Sequence, residues 1–328
     1  MRIVVYGEDW IGTLPQLLTS DLRLRGHTVE HFDFTAIMPG IRSRSIFERI
    51  KRRGLFRLYV AQIRSKFSNC VNEFKPEIVI ISKGLHLDRR TIETIKCSGA
   101  FVVNWNPDDF FNMKNSSADL IAAIPEYDLI VSAREHLFPR YTDVGAKSTL
   151  FLDWYYVPEL HYPRNLPLSY NVTFVGSWSP FREEFISKVD SPVSIWGGGW
   201  EKSSVVFRKK HDYRNAVLSQ KEMSAVFNQS RFNLNLLTRE NSDYTNLRLF
   251  EVTASGGLLM TERNSHASSL FNESEDVLMF NSPQDFNYAI KSSIDFDKVA
   301  LSGNLKITGG KNKFSDRVDS LLYAATSI

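Results

Sequence analysis

Short runs of apolar, mostly β-branched residues recur along the chain, and segments with helical spacing separate them. In the first half these runs occupy residues 3–6, 28–34, 77–82, 100–105 and 129–132. Strands that are apolar on both faces and alternate with helices pair into parallel sheets with helices on each side. The alternation therefore predicts an α/β fold built on a parallel sheet.

The pattern stops near residue 155, where Pro158, Pro163 and Pro167 indicate a linker, and then restarts. New strand candidates occupy residues 172–176, 194–197, 232–236 and 257–261. The 328 residues also exceed what one hydrophobic core usually supports. We therefore predict four parts: a Rossmann-like domain over 1–158, a linker over 159–170, a second Rossmann-like domain over 171–310 and a C-terminal helix over 311–328 that packs back on the first domain. Two doubly wound domains would face a central cleft that holds two substrates.

Composition excludes several classes of protein. Hydrophobic residues make up 43% and charged residues 23%, which is ordinary globular usage, so intrinsic disorder is excluded. The net charge is only +3, which disfavours a nucleic acid partner. Cys70 and Cys97 are too few for a disulfide framework and lack metal-ligand spacing, which indicates a reducing cytoplasm and no metal. We find no leader and no membrane-spanning run, and expect a soluble or peripheral protein.

The segment at residues 242–261 is the most informative for chemistry. Small polar residues, among them Thr245, lead into a predicted helix that begins near Asn246. The free amides and the positive dipole end of such a helix attract an anion, and Arg248 in its first turn adds a charged donor. A diphosphate fits there. Glu251 follows in the same helix, where its carboxylate can accept hydrogen bonds from the hydroxyls of a ribose.

The chain resembles bacterial GT-B glycosyltransferases of the group 1 type, in the CgeB-like branch. Three blocks carry the resemblance: residues 174–178, 232–237 and 246–261. It covers most of residues 170–290. The resemblance implies a GT-B fold and transfer of a sugar from a nucleotide-sugar donor with retention of anomeric configuration. It implies neither a metal nor a cofactor, because cationic side chains and a helix terminus stabilise the leaving diphosphate.

Group 1 transferases carry two glutamates separated by seven residues, one near the donor sugar and one on the ribose. Here the second is Glu251, while the first position holds Asp243, which is one methylene shorter. The resemblance thus implies catalytic roles for Asp243 and Arg248, and donor contacts from the segment around Leu247. In the alternative interpretation, Glu251 is a buried helix carboxylate paired with an arginine, and Asp243 lies in the cap region of the helix.

A second donor-side loop follows the first strand of the predicted second domain. Glycine at position 176 allows close approach of the backbone to a phosphate, and Ser177 and Arg182 supply donors. In the resembling family this loop faces the donor diphosphate. The alternative is a tight turn in which Arg182 begins a solvated helix face with Glu183 and Glu184.

The loop at residues 7–13, between the first strand and the first helix, resembles the acceptor-side loop of the family. It contains Asp9, Trp10 and Gly12. It lacks the G-x-G-x-x-G arrangement, which disfavours a nicotinamide or flavin cofactor.

Further candidates for the acceptor side follow two later strands of the first domain. Asp108 and Asp109 come shortly after residues 100–105, where paired acids suit an acceptor hydroxyl or a general base. His86 follows residues 77–82 and can contact a phosphate or a sugar, although a single histidine is more often structural. The alternative for the two aspartates is an Asx turn that caps the next helix.

Residues 42–66 contain nine basic residues and one acidic residue, Glu48, interleaved with aromatic and aliphatic side chains. Such a stretch is typical of a contact with an anionic membrane or a pyrophosphate lipid. The alternative is a solvated pair of helices.

We therefore predict a cytoplasmic glycosyltransferase, peripheral on the inner face of the membrane. It would move a sugar from a nucleotide-sugar donor to a saccharide or lipid-linked acceptor in bacterial surface glycan synthesis. Two alternatives stay open. One is a sugar-nucleotide epimerase, and the other is a non-catalytic nucleotide-sugar-binding protein, which the aspartate at position 243 keeps open.

Overall fold

A computed structural model describes residues 1–38, 46–214, 216–238 and 245–327 of the chain; the side chains of Ile46 and Arg49 are not described. The chain divides into two compact units. The first comprises Met1–Asp153 and the C-terminal segment from Arg317, and the second comprises Trp154–Asp316. Residues 154–158 and the predicted linker 159–170 thus belong to the second unit.

The first unit contains a parallel six-stranded sheet in the order β2-β1-β3-β4-β5-β6. Its strands are β1 Arg2–Tyr6, β2 Thr28–Phe32, β3 Ile78–Ser82, β4 Phe101–Trp105, β5 Leu129–Ser132 and β6 Thr149–Phe151. Its helices are α1 Leu14–Leu24, α2 Ile46–Gly54, α3 Phe56–Phe74, α4 Arg89–Lys96, α5 Ala118–Ala122 and α6 Phe138–Asp143. Every residue of β3 is buried, as expected for a strand covered by helices on both faces.

The second unit contains another parallel six-stranded sheet, in the order β12-β11-β10-β7-β8-β9. Its strands are β7 Tyr170–Val175, β8 Val193–Trp196, β9 Asp212–Tyr213, β10 Ser230–Asn235, β11 Leu259–Glu262 and β12 Leu278–Phe280. Its helices are α7 Pro180–Ser187, α8 Val205–Lys210, α9 Gln220–Asn228, α10 Arg248–Ala254, α11 Ser265–Leu270, α12 Pro283–Ala289 and α13 Phe296–Thr308. The last helix, α14 Phe314–Ser327, begins in this unit, but its residues from Arg317 onward belong to the first.

The two sheets confirm the predicted α/β class and all nine predicted strands, with shifts of one to a few residues at their ends. The sequence analysis missed β6, β9 and β12. These strands have three, two and three residues, which is too short to produce a recognisable apolar run. The predicted helix near residue 246 begins at Arg248.

Each unit has its own apolar core. In the first unit Tyr6 stacks on Phe34, with ring centroids 5.4 Å apart, and lies 4.6 Å from the ring of Phe67 on α3. Along the second sheet, Phe185 on α7 packs 5.1 Å from Phe280 of β12. Burial of these large side chains supplies most of the driving force for folding. No described helix combines the length and the apolar character needed to cross a membrane.

The C-terminal helix α14 returns to the first unit. Asp319 forms an ion pair with Arg25 of the segment after α1. Arg317 Nε donates to the carbonyl oxygen of Asp153 at 2.9 Å. The residues from Arg317 onward therefore contribute to the first compact unit, although they follow the second along the chain.

The loops after β7 and β8 meet at two glycines. Gly176 N donates to the carbonyl oxygen of Trp196 at 2.9 Å, and Gly197 takes a φ of +134°. A Cβ at position 197 would overlap the Gly176 carbonyl, with the carbonyl carbon only 2.5 Å away. A glycine at 197 therefore allows the two loops to lie in contact.

We predict that Gly197→Ala lowers the thermal unfolding midpoint of the second unit by roughly 3–10 °C, because the new methyl group forces the loops apart. Differential scanning calorimetry measures this change. Gly198→Ala is the matched control, since a Cβ there meets no atom within 4 Å and its φ is not positive. Equal midpoints for the two variants would contradict the tight contact.

Candidate functional site

The strand order of the second unit reverses between β7 and β10, with β8 and β9 on one side and β11 and β12 on the other. The loops that leave the carboxyl ends of β7 and β10 therefore run in opposite directions. Open α/β sheets bind ligands in the crevice at such a reversal. The predicted donor loop at residues 176–182 and the residues from 236 onward flank this position.

Arg182 connects the two loops. Its backbone lies in the first turn of α7, and its side chain is 91% buried. Its Nη1 donates to the carbonyl oxygen of Ser177 at 2.9 Å and to the Ser177 hydroxyl at 3.2 Å. Its Nη2 donates to the carbonyl oxygen of Leu236 at 3.0 Å and to Thr238 Oγ1 at 3.2 Å. One guanidinium thus connects the loops that follow the paired strands β7 and β10.

This arrangement contradicts the alternative given above for Arg182, a solvated helix face. The side chain is buried, so it does not begin a solvated helix face with Glu183 and Glu184. It also donates to protein oxygens of both loops, and a phosphate oxygen would have to replace one of them. As placed, Arg182 positions Gly176 and Ser177, and its direct contact with phosphate stays a prediction.

Arg248 and Glu251 form an ion pair within the first turn of α10. The Arg248 Nε donates to the carbonyl oxygen of Val175, the last residue of β7, at 3.3 Å. The Glu251 side chain is buried, whereas that of Arg248 is 25% exposed. The structure thus contains the pairing given above as the alternative for Glu251. It also places the arginine at the end of β7, beside the crevice, where solvent and solutes can reach it.

His161 is a residue that the sequence analysis missed. It is 97% buried, and its Nε2 lies 3.9 Å from Glu251 Oε1. Its Nδ1 accepts a hydrogen bond from the Val157 amide at 3.0 Å, so the neutral ring carries its proton on Nε2, toward the carboxylate. Burial lowers the pKa of His161, and Glu251 opposes that shift only in part. Because His161 lies in the proline-interrupted segment, no periodic pattern indicated its burial.

The start of α10 is a poorer anion site than the sequence predicted. The amides of Phe250 and Glu251 donate to the Leu247 carbonyl oxygen at 3.0 and 2.9 Å, and the Leu249 amide donates to the Asn246 carbonyl oxygen at 3.3 Å. These first-turn donors are therefore already used. The helix has only seven residues, which also limits its dipole. The charge of Arg248 then becomes the main attraction for an anion at this end.

The residues just before α10 are held by the neighbouring strands. Asn246 Nδ2 donates to Asn235 Oδ1 at 2.8 Å, and Asn235 also contacts Thr261 Oγ1 at 3.0 Å. Thr245 is buried, and its hydroxyl has no hydrogen-bond partner among the described residues. Asp243 lies outside the described residues, so its sugar contact stays a prediction.

In the first unit the strand order reverses between β1 and β3. The loop after β1 holds three of the predicted acceptor-side residues. The Asp9 carboxylate lies 3.7 Å from His31 Nδ1, and the Trp10 carbonyl accepts from Thr13 Oγ1 at 2.8 Å. Gly12 takes a φ of +84°, a conformation that favours glycine. These residues form a turn at the crevice of the first sheet.

The loop after β3 opens on a cavity of about 1130 Å³. Lys83, His86 and Asp108 line it, and Lys83 Nζ forms a 2.6 Å ion pair with Asp108. Burial, reinforced by Arg64, lowers the pKa of His86 to about 4, so this ring is neutral at physiological pH. Two of the predicted acceptor-side residues, His86 and Asp108, thus share one cavity. The sequence analysis did not select Lys83, although its position directly after a strand was the available signal.

Asp109 has a different environment from its neighbour Asp108. It is buried, and its Oδ1 accepts from the Phe111 amide at 2.8 Å. Asn106 Oδ1 similarly accepts from the Asp108 amide at 3.0 Å. The segment therefore forms Asx turns at Asn106 and Asp109, but neither aspartate caps the next helix, because Ser117 is the N-cap of α5. Asp108 is the member of the pair that reaches the cavity, and Asp109 is not among the residues that line it.

Comparisons with known proteins bear on both units. Residues 182–306 match a protein-family model described as glycosyl transferase-like. This region lies within the second unit and begins at Arg182. Comparison with curated proteins gave no match.

Several solved structures share the whole fold. The sucrose-phosphate synthase from Thermosynechococcus elongatus has a TM-score of 0.68 at 11% identity, covering 99% of this chain and 98% of that one. The Anabaena protein HepE, in complex with UDP, has a TM-score of 0.65 at 10% identity, with 100% of both chains covered. An E. coli structure described as trehalose-6-phosphate bound with UDP-2-fluoro glucose has a TM-score of 0.70 at 11% identity, covering 100% and 99% of the chains.

At these identities the structures establish the fold, while the family match comes from the sequence of the second unit. The two six-stranded parallel sheets with flanking helices are those of the GT-B fold. The chain therefore has the GT-B fold, and its second unit is similar in sequence to glycosyl transferases over residues 182–306.

Proposed function

We propose that the second unit binds a nucleotide sugar, with UDP-sugars as the first candidates, and that the chain transfers the sugar with retention. Two solved structures of this fold contain UDP and UDP-glucose, and another contains UDP-2-fluoro glucose. Another structure of the same fold is that of a trehalose-6-phosphate synthase, which is described in connection with glycosyl transfer with retention. The resemblance to the CgeB-like branch supports the same chemistry.

The observation that carries this proposal is the position of Arg248 and Glu251 beside the crevice between β7 and β10. A diphosphate needs a cation, and a ribose needs a carboxylate that accepts from its hydroxyls. The structure supplies both groups one helical turn apart, already paired with each other. In a bound donor the diphosphate would replace Glu251 as the anion beside Arg248, and the ribose hydroxyls would replace Arg248 as hydrogen-bond donors to Glu251.

In the proposed reaction the bond between the anomeric carbon and the donor diphosphate breaks, and a bond from the acceptor oxygen to that carbon forms. The nucleoside diphosphate leaves with the bonding electron pair, and the acceptor hydroxyl gives up its proton. Arg248 stabilises the charge that develops on the leaving group, the kind of electrostatic effect that usually contributes most to catalysis. Gly176 and Ser177, positioned by Arg182, would line the diphosphate.

On the acceptor side we propose that a saccharide or lipid-linked acceptor enters the first unit at the cavity lined by Lys83, His86 and Asp108. The Asp108 carboxylate, which forms an ion pair with Lys83 at 2.6 Å, is a general-base candidate. Asp9, Trp10 and Gly12 lie on the other side of the same strand reversal and complete the acceptor-side set.

We also propose that α2 and the start of α3 contact an anionic membrane on its cytoplasmic face, as fits a role in surface glycan synthesis. Phe47, Ile50 and Leu58 are 86%, 63% and 66% exposed, next to the basic residues of α2. Exposed apolar side chains among cations are typical of interfacial helices. Arg42 and Arg44 of this stretch lie outside the described residues, and Arg64 is committed to ion pairs with Asp88 and Asp119.

We predict that Arg248→Gln reduces kcat/KM for sugar transfer by roughly 100-fold or more. It also lowers the thermal midpoint, because it leaves the buried Glu251 without its ionic partner. The double variant with Glu251→Gln removes that buried charge, and we expect it to regain the midpoint but not the turnover. Steady-state assays of nucleotide release, together with calorimetry, separate the two effects.

The control for this series is Arg231→Gln, which removes the same charge near the amino end of β10. The crevice lies at the carboxyl ends of the strands, so this arginine is at the other end of the same sheet. This variant is expected to keep the wild-type kcat/KM for sugar transfer. Wild-type turnover in the Arg248 and Glu251 double variant would show that the pair is only structural and would refute the donor assignment. Conversion of the donor alone into its epimer would indicate the epimerase alternative.

We predict that Phe47→Ser combined with Ile50→Ser reduces binding to vesicles of phosphatidylglycerol and phosphatidylcholine by about tenfold or more, through loss of apolar burial. Vesicle co-sedimentation measures the bound fraction. Leu301→Ser with Leu305→Ser is the matched control, because these α13 side chains are 59% and 62% exposed but lie in the second unit. Equal binding by both double variants would contradict the membrane contact.

A further inference from the structure

The cavity of the first unit is large enough for more than a sugar ring. Its volume is about 1130 Å³, which slightly exceeds the range of roughly 300–1,000 Å³ for small-molecule sites. Residues of α3, α4 and the loops after β3 and β4 form its walls. It therefore has space for an extended ligand.

The charges around this cavity are unequal. Its lining contains five basic and three acidic side chains. Each acid already has a partner: Arg64 pairs with Asp88 at 2.6 Å and with Asp119 at 3.0 Å, and Lys83 pairs with Asp108. The acids therefore neutralise only the cations that they contact.

The other three cations of the lining are Arg57, Arg90 and Lys114. None of them forms an ion pair with a described residue. All three are exposed, so they stay hydrated and available to a solute. They come from α3, α4 and the loop before α5, and thus lie on different walls of one cavity. Three cations without protein acids around one space favour an anion that carries more than one charge.

The remaining wall is apolar. Phe56 and Val60 of α3 and Leu85 of the β3 loop line it, and Phe56 is 44% exposed. The His86 ring lies edge-on to Phe56, at 5.7 Å between centroids, and is neutral. A free sugar phosphate has no apolar group to bury against this wall, whereas a phosphate that carries an apolar chain does.

We propose that this cavity binds a phosphate or diphosphate ester of an apolar alcohol, with the anion between Arg57, Arg90 and Lys114 and the chain against Phe56 and Val60. This inference rests on the proposed function, because it specifies the class of acceptor. The anion and apolar chain account for both the uncompensated charge and the exposed aromatic wall. In an acceptor of this class a sugar attached to the phosphate would carry the accepting hydroxyl, and it would lie toward Lys83 and Asp108 in the same cavity.

Isothermal titration of the full chain with geranyl diphosphate tests the proposal, with UDP present at saturation to occupy the donor site. Glucose 6-phosphate serves as the phosphate without an apolar chain, and octyl glucoside below its micelle concentration as the apolar chain without phosphate. We expect geranyl diphosphate to bind at least tenfold more tightly than either. Equal or tighter binding of octyl glucoside or of glucose 6-phosphate would overturn the proposal.

Two neighbouring arginines of α4 supply the matched variants. Arg90 lines the cavity, whereas Arg89 does not and pairs with Glu93 and Glu126. Arg90→Ala is expected to weaken geranyl diphosphate binding about tenfold or more, and Arg89→Ala to leave it within twofold. Both are surface changes, so neither should prevent folding. Arg57→Ala provides a second cavity variant, and wild-type affinity in both cavity variants would overturn the proposal.

The result separates this inference from the proposed function. Arg90-dependent binding of geranyl diphosphate, with no response of the protein to any nucleotide, would support the cavity ligand and contradict the donor site. Nucleotide binding without Arg90-dependent binding of geranyl diphosphate would support the donor site and contradict the cavity ligand. If UDP displaced geranyl diphosphate, the diphosphate would be bound at the donor site, and the cavity assignment would be wrong.

Discussion

The guanidinium of Arg182 is the interaction on which the donor site depends. It joins the ends of β7 and β10 at the point where the strand order reverses, by donating to the carbonyl oxygens of Ser177 and Leu236. The pairing of β7 with β10 fixes only the strand ends, whereas loops at such a reversal run apart, and Arg182 connects them beyond the last strand residues. Arg248 reaches the same strand end through the Val175 carbonyl oxygen. The crevice therefore has a rigid wall before any ligand binds, which reduces the ordering cost of binding.

Charge is handled differently in the two units. In the second unit Arg248 and the buried Glu251 neutralise each other, so a donor must exchange with an existing ion pair. In the first unit Arg57, Arg90 and Lys114 have no acidic partner among the described residues. An anion can therefore pair with them without displacing a carboxylate of the protein. The exchange favours selectivity for a ligand that carries both an anion and hydroxyl donors. The unpaired cations of the first unit favour binding of any ligand with several negative charges.

Much of the fold could be predicted from local pattern, because strands apolar on both faces have few alternatives to a parallel sheet. The geometry of the candidate sites was harder to predict from the sequence. The pairing of Arg248 with Glu251 follows from their i, i+3 spacing and was foreseen as an alternative. The clamp of Arg182 was not foreseen, since its acceptors Leu236 and Thr238 lie more than fifty residues away. The cavity of the first unit was equally hidden, because Arg57, Arg90 and Lys114 meet only through tertiary packing.

The central claim is that the second unit binds a nucleotide sugar, and a thermal-shift panel tests it most directly. The full chain would be heated with UDP, GDP, dTDP, CMP and ADP, each with and without its common sugars. A ligand that binds only the folded state stabilises it by about 2.7 kcal/mol at a hundredfold excess over Kd. We expect UDP and its sugars to raise the midpoint by several degrees. No shift with any nucleotide at millimolar concentration would contradict the account.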